Sequence, residues 1–158
     1  MVPTARTLVL LVLLAPVAVL IAATAPSAWI VAPAAGLALL LVAVIDGLLA
    51  GRIAQFTFHV PPDAEVGQAA MIRVEAEIAR DSNAALPEAA LGFDARLGEG
   101  GGAEFLLHPT GEPGLFAGEG KLVPVRRGPG ELHDLWLRWR GPLGLAARQV
   151  HTRLDARL

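Results

Sequence analysis

The stretch Thr7–Ile45, TLVLLVLLAPVAVLIAATAPSAWIVAPAAGLALLLVAVI, runs for 39 residues without a charged side chain. A hydrocarbon layer about 30 Å thick is crossed by roughly 20 apolar residues in a helix, so this run is nearly twice the length of one span. Ala25-Pro26-Ser27-Ala28 interrupts it near the middle, and proline disfavours helix through the residue before it. The reading is a helical hairpin, Thr7–Ala25 and Ala28–Ile45. The first helix holds 11 Leu, Ile or Val residues. At roughly −0.3 to −0.6 kcal/mol each near a helix centre, they favour insertion by about 3 to 7 kcal/mol. The second has more Ala, with Pro33 and Gly36, and relies on close packing through small residues. Trp29 at its start suits a membrane interface, where the indole N–H stays wet.

Outside this run the chain is a different material. Of the 13 Lys+Arg and 15 Asp+Glu, 11 and 14 lie between Ile53 and Leu158. The chain therefore divides into a two-span hairpin over 1–52 and a polar domain over 53–158, the latter large enough for one modest core. Arg6 and Arg52 flank the hairpin while its turn is uncharged. The positive-inside rule then places both termini and the polar domain in the cytoplasm. Asp46, beside Gly47 and ahead of Arg52, is read as an interfacial, solvated aspartate rather than an intramembrane proton relay. Two alternatives stay open. Arg6, the first apolar run and Ala23-Thr24-Ala25 have the layout of a signal peptide, which would leave an extracytoplasmic β-domain, although Pro26 just after the cut hinders cleavage. A buried hairpin in a soluble protein needs a polar helix face, and neither segment has one.

In the polar half the hydrophobic period becomes two, the mark of half-buried strands. Ile72, Val74, Ala76 and Ile78 alternate with Arg73, Glu75 and Glu77 across Met71–Ala79. Leu91, Phe93, Ala95 and Leu97 alternate in the same way, as do Leu135, Leu137 and Trp139, with Trp136 expected to lie along an Arg stem. Further strands are expected at Gln55–Val60, Glu104–Leu107, Lys121–Arg127 and Leu145–Thr152, with Pro124 demoting its strand to an edge or a bulge. Turn chemistry punctuates them at Pro61-Pro62-Asp63, Asp81-Ser82-Asn83, Gly98–Gly102, His108-Pro109-Thr110-Gly111, Pro113-Gly114, Gly128-Pro129-Gly130 and Gly141-Pro142. The fold expected for 53–158 is an antiparallel β-sandwich of immunoglobulin-like type, with a small β-barrel as the alternative.

The residues that chemistry needs are sparse. There is no cysteine, which removes disulfides, thiolate metal sites and cysteine nucleophiles. The two serines, Ser27 and Ser82, do not form a G-x-S-x-G elbow. Gly98–Gly102 has Ala103 where a dinucleotide loop needs its third glycine, and Gly120-Lys121 lacks both the first glycine and the hydroxyl of a Walker loop. His59, His108, His133 and His151 show no metal-ligand spacing. His133-Asp134 are strand neighbours that point to opposite faces, a poor acid/base dyad. Glu75 and Glu77 share a face about 7 Å apart, a separation some glycosidases use, but a solvated strand face explains them. Arg126, Arg127, Arg138 and Arg140 are the one basic concentration and the candidate partner-binding residues, suited to an acidic partner or anionic headgroups. A near-neutral chain, net charge −2, argues against nucleic acid. No cofactor, metal or small-molecule substrate is expected.

The C-terminal third carries a further pattern. Arg126-Arg127-Gly128-Pro129-Gly130-Glu131-Leu132, then Leu135-Trp136-Leu137-Arg138, then Gly141-Pro142-Leu143-Gly144-Leu145, resembles the R-R-G strand and S-P-L-G-L turn of the bacterial membrane protein family called domain of unknown function 58. Val66-Gly67-Gln68 before the Met71–Ala79 strand matches that family's V-G-(E/Q) turn. The resemblance spans nearly the whole chain, and P-L-G-L is its most specific element. It implies an inner-membrane protein whose later part is a von Willebrand factor A-like domain, encoded beside a MoxR-type AAA ATPase. No D-x-S-x-S metal signature occurs within these residues, so metal-dependent adhesion does not carry over, and a truncated or split gene product is expected. Gly141 stands where the family has Ser, a small departure in a turn. The function expected is a non-enzymatic membrane-anchored interaction or scaffold module that docks a MoxR-type ATPase or an A-like domain. A membrane-associated enzyme is the competing class, and the lack of clustered nucleophile, metal or acid/base groups weighs against it.

Overall fold

The structure is a computed structural model and describes residues 1–79 and 86–158; the Asp81-Ser82-Asn83 turn expected above lies outside the described residues. Two compact units form. One comprises Met1–Ala50 and Arg140–Arg148; the other takes in 51–79, 86–139 and 149–158.

In the first unit, strand β1 (Val2–Pro3) leads into helix α1 (Ala5–Thr24). A 3-10 turn at Pro26–Ala28 follows, and then helix α2 (Val31–Leu49). Each helix is long and apolar enough to cross a membrane, and at 1.5 Å per residue they measure about 30 and 28 Å, one bilayer core each. Their apolar side chains are bare: Val12 is 71% and Leu37 70% exposed. Burial in α1 is confined to Thr7, and in α2 to Ala43, Asp46 and Gly47. That is the reverse of a soluble core helix, whose apolar stripe is covered. Thr24 at the end of α1 donates its hydroxyl to the Leu20 carbonyl at 2.8 Å. The helix α2 runs past the expected end at Ile45 and takes Asp46 into its last turn. Gly51, with φ of 75°, provides the left-handed residue that ends a helix of this kind.

The remaining strands are β2 (Ile53–His59), β3 (Ala70–Ile78), β4 (Glu88–Phe93), β5 (Gly102–Leu106), β6 (His108–Pro109), β7 (Leu115–Leu122), β8 (Glu131–Arg140) and β9 (Ala146–Arg157). They form two antiparallel sheets, ordered β1-β9-β8-β4-β5 and β2-β3-β7-β6, in keeping with the β-sandwich expected. The alternation in β3 puts Ile72, Val74, Ala76 and Ile78 inside, and Ala89, Leu91 and Phe93 of β4 and Leu135, Leu137 and Trp139 of β8 are buried as well, the apolar interior. Leu132 is buried as well as Leu135, which strict alternation forbids. The β4–β8 register shifts between Gly92 and Phe93, pairing Gly92 with Asp134 and Phe93 with Leu132. His133 is the extra residue of a bulge that turns both leucines inward.

Four strand assignments from the sequence change, one of them the strand placed at Leu145–Thr152, which is Ala146–Arg157. The strand placed at Lys121–Arg127 is Leu115–Leu122. Its alternation is hidden because Gly118 and Gly120 occupy the inward positions, and Pro124 lies beyond its end. The run Leu91–Leu97 stops being strand at Phe93; Leu97 is buried from a turn in which its N–H donates to the Asp94 carbonyl. His108-Pro109, expected in a turn, pairs as β6 with Ala117 and Phe116.

Candidate functional site: a buried polar clamp at the helix ends

The buried polar side chains of the apolar hairpin converge in one place. Thr4 and Thr7 sit at the start of α1 and Asp46 in the last turn of α2, and all three are buried, Thr7 and Asp46 at 0% exposure. They grip the turn 141–146. In that turn Gly144 N–H donates to the Gly141 carbonyl at 2.9 Å and Gly141 N–H to Ala146 at 3.0 Å, with Pro142 in the position where its fixed φ favours a turn. Gly144 has φ of 68°, a conformation a side chain would resist.

Asp46 accepts three backbone N–H groups of this turn. Leu143 donates to Oδ1 at 2.6 Å, and Leu145 and Ala146 donate to Oδ2 at 2.8 and 2.9 Å. The Thr4 hydroxyl donates to the carbonyls of Gly144 at 2.7 Å and Leu145 at 3.0 Å. Thr7 also donates its hydroxyl to Leu145. The Thr4 N–H adds a bond to the Leu145 carbonyl at 2.9 Å, and β1 pairs Val2 with Ala147 and Pro3 with Ala146. From the turn's far side Arg148 Nε donates to the Gly47 carbonyl at 2.9 Å. No described buried side-chain polar atom is left without a partner.

The expectation that Asp46 is solvated is therefore wrong, for a reason the sequence already hinted at. An acidic side chain in the last turn of a helix faces the negative end of the macrodipole, and no basic residue shares that turn. Such a residue is tolerated only with strong donors nearby, and here they are the N–H groups of a turn 97 to 100 residues away. The glycine at 141 is equally specific. A Cβ at Gly141 would overlap the Asp46 backbone oxygen and carboxyl group, so a glycine at this position is a requirement of the close approach rather than a minor detail of the turn.

Within the second unit, Arg126 and Arg127 line a different hollow from Arg138. Arg126 and Arg127 lie exposed in the loop after β7, beside Asp63 and Glu65 in a hollow of about 610 Å³. Arg138 lies on β8 with Glu88, Glu104 and Trp136 in another, and Arg140 belongs to the unit that contains the helices. Each of these two hollows mixes both signs of charge. His133 and Asp134 form no dyad: Asp134 Oδ1 instead lies 2.6 Å from His151 Nε2. The His151 ring stacks on Trp136, centroids 4.9 Å apart and planes at 17°, where an Arg stem was expected. Glu75 bonds Arg73 Nε at 2.8 Å. Among the described residues no group of three or more His, Asp or Glu gathers as a metal site. No family model, curated protein or solved structure matches this chain.

Proposed function

We propose that the chain is a membrane-anchored, non-enzymatic interaction module: a two-span hairpin in the cell membrane of a bacterium, carrying a cytoplasmic, immunoglobulin-like β-sandwich. The observation that carries this reading is the polar clamp. A helix pair bare of protein along most of its length keeps all its buried polar bonds for one turn, the turn that joins β8 to β9. Holding that turn is what an anchor requires, and it does not resemble the layout of a reaction centre, where polar groups line an open cleft.

Two observations support the membrane hairpin over a cleaved signal peptide. Thr4 and Thr7 bind the turn and Val2 and Pro3 pair with the start of β9, and removal of 1–25 would strip every one of them. The flanking charges Arg6 and Arg52 favour cytoplasmic termini. The resemblance to the family called domain of unknown function 58 supplies the partner class, a MoxR-type AAA ATPase or a separately encoded von Willebrand factor A-like domain, with Arg126, Arg127, Arg138 and Arg140 as candidate contacts.

Cell fractionation tests the anchor. The intact chain is expected in the membrane pellet and released only by detergent; monodisperse protein in a detergent-free supernatant overturns the proposal. Pull-down tests the contacts, since Arg138→Glu with Arg140→Glu is expected to reduce recovery of the ATPase, and unchanged recovery excludes that pair.

A further inference from the structure

We infer that β9 is a self-association edge: two copies of this chain pair their β9 strands antiparallel, with Leu154 opposite Leu154 of the second copy. This inference is independent of the membrane reading.

The backbone dictates which residues face the open side. In the second unit Gly130 N–H donates to Leu158 C=O at 2.9 Å and Leu158 N–H to Gly130 C=O at 3.0 Å, so Leu158 spends both its groups on the residue just before β8, on the β8 side. Backbone groups alternate direction along a strand. Thr152, Leu154 and Ala156 therefore also point to β8, while His151, Arg153, Asp155 and Arg157 turn their N–H and C=O away from it. Among the described residues the strand on that other side is β1, and it reaches only Ala146 and Ala147. From His151 to Arg157 the edge carries a row of open donors and acceptors, the template that sheets use for pairing with another chain.

Side-chain charge selects the occupant and the register. His151, Arg153, Asp155 and Arg157 stand on the exposed face, and Thr152, Leu154 and Ala156 are half-buried. Arg157 is held by Glu131 at 3.1 Å and His151 by Asp134, whereas Arg153 and Asp155 have no ion-pair partner among the described residues. A two-fold axis at Leu154 sets Arg153 opposite Asp155 of the other copy, and Asp155 opposite its Arg153. Both pairs are of opposite sign, and both sit at positions that exchange two backbone hydrogen bonds. An axis at Arg153 stacks Arg on Arg; one at Asp155 stacks Asp on Asp and sets two Arg153–Arg157 pairs in opposition. Only the Leu154 register satisfies the free charges, and it does so with the same patch on both copies, as a two-fold interface demands.

The test uses the full chain in detergent micelles. The protein has no cysteine, so Leu154→Cys introduces a single thiol. In this register the two Leu154 Cα atoms form a non-hydrogen-bonded pair about 4.5 Å apart, within disulfide range, and mild oxidation is expected to yield a covalent dimer. Thr152→Cys is the control, since its two copies stand about 13 Å apart, four residues of offset, and is expected to stay uncrosslinked. Sedimentation supplies the second arm. Arg153→Asp or Asp155→Arg alone is expected to weaken association at least about tenfold. The double variant, or a mixture of the two single variants, is expected to restore it. A monomer at all concentrations, a dimer indifferent to these reversals, or equal crosslinking at 152 and 154 would each overturn the inference.

Discussion

Replacing Asp46 by Ala removes the acceptor of three backbone N–H groups at once. The bonds to Leu145 and Ala146 are buried and that to Leu143 is partly buried, so water replaces the acceptor readily only at Leu143. A buried N–H stripped of its partner costs about 1 to 3 kcal/mol, which puts the loss for the two deep groups at about 2 to 6 kcal/mol. Asp46→Asn separates hydrogen bonding from size. Its amide oxygen, placed at the Oδ2 position, keeps the two deep bonds, and its NH2 then meets the Leu143 N–H donor to donor, a loss of about 1 to 3 kcal/mol. The assay is amide hydrogen exchange of the full chain in micelles, read at Leu145 and Ala146. Exchange there is expected to accelerate at least about thirtyfold in Asp46→Ala, at roughly 1.4 kcal/mol per factor of ten, with Asp46→Asn in between. Exchange in β3, in the other unit, is expected to be unchanged. Wild-type exchange at Leu145 and Ala146 in Asp46→Ala refutes the reasoning.

Three further outcomes follow from the same geometry. Gly141→Ser places a Cβ on the Asp46 backbone and carboxyl group and is expected to accelerate exchange at Leu145 and Ala146 as Asp46→Ala does; an unaffected variant would show that the turn can move aside at no cost. Leu135→Ala empties a position 1% exposed and is expected to lower stability by about 2 to 5 kcal/mol, read from the denaturant midpoint. Intact mass of protein from the membrane fraction is expected to retain residues 1–25, because the clamp uses Thr4 and Thr7; a mass beginning at Pro26 would favour the signal peptide instead.

What could be read in advance divides by the range of the interaction involved. The helices follow from the uncharged run, since a long apolar segment has few stable alternatives, and the pattern of β3 follows from a period of two that nothing disturbs. Reading failed where residues lose their usual meaning locally. Gly118 and Gly120 hide the inward face of β7, the bulge at His133 breaks the parity of β8, and Pro109 sits in a two-residue edge strand that turn rules assign to a loop. The site was less legible than the fold. Asp46 was visible as an anomaly, a lone acid at the wrong end of an apolar helix, but its three donors are backbone groups near residue 145, and backbone N–H groups carry no sequence signature. Of the arginines, which are close in sequence order and alike in charge, Arg126 and Arg127 line one hollow and Arg138 another, each beside acidic residues.

The amino-acid order alone determined that this chain has an apolar two-helix part and an alternating β part, because hydrophobic period and charge distribution are properties of neighbouring residues. Tertiary structure alone decided that Asp46 is a buried acceptor, that Gly141 must lack a side chain and that, among the described residues, β9 is paired on its outer side only at Ala146 and Ala147. Each of these depends on which distant backbone arrives opposite, and chain-distant contacts leave no periodic trace in the residues that make them.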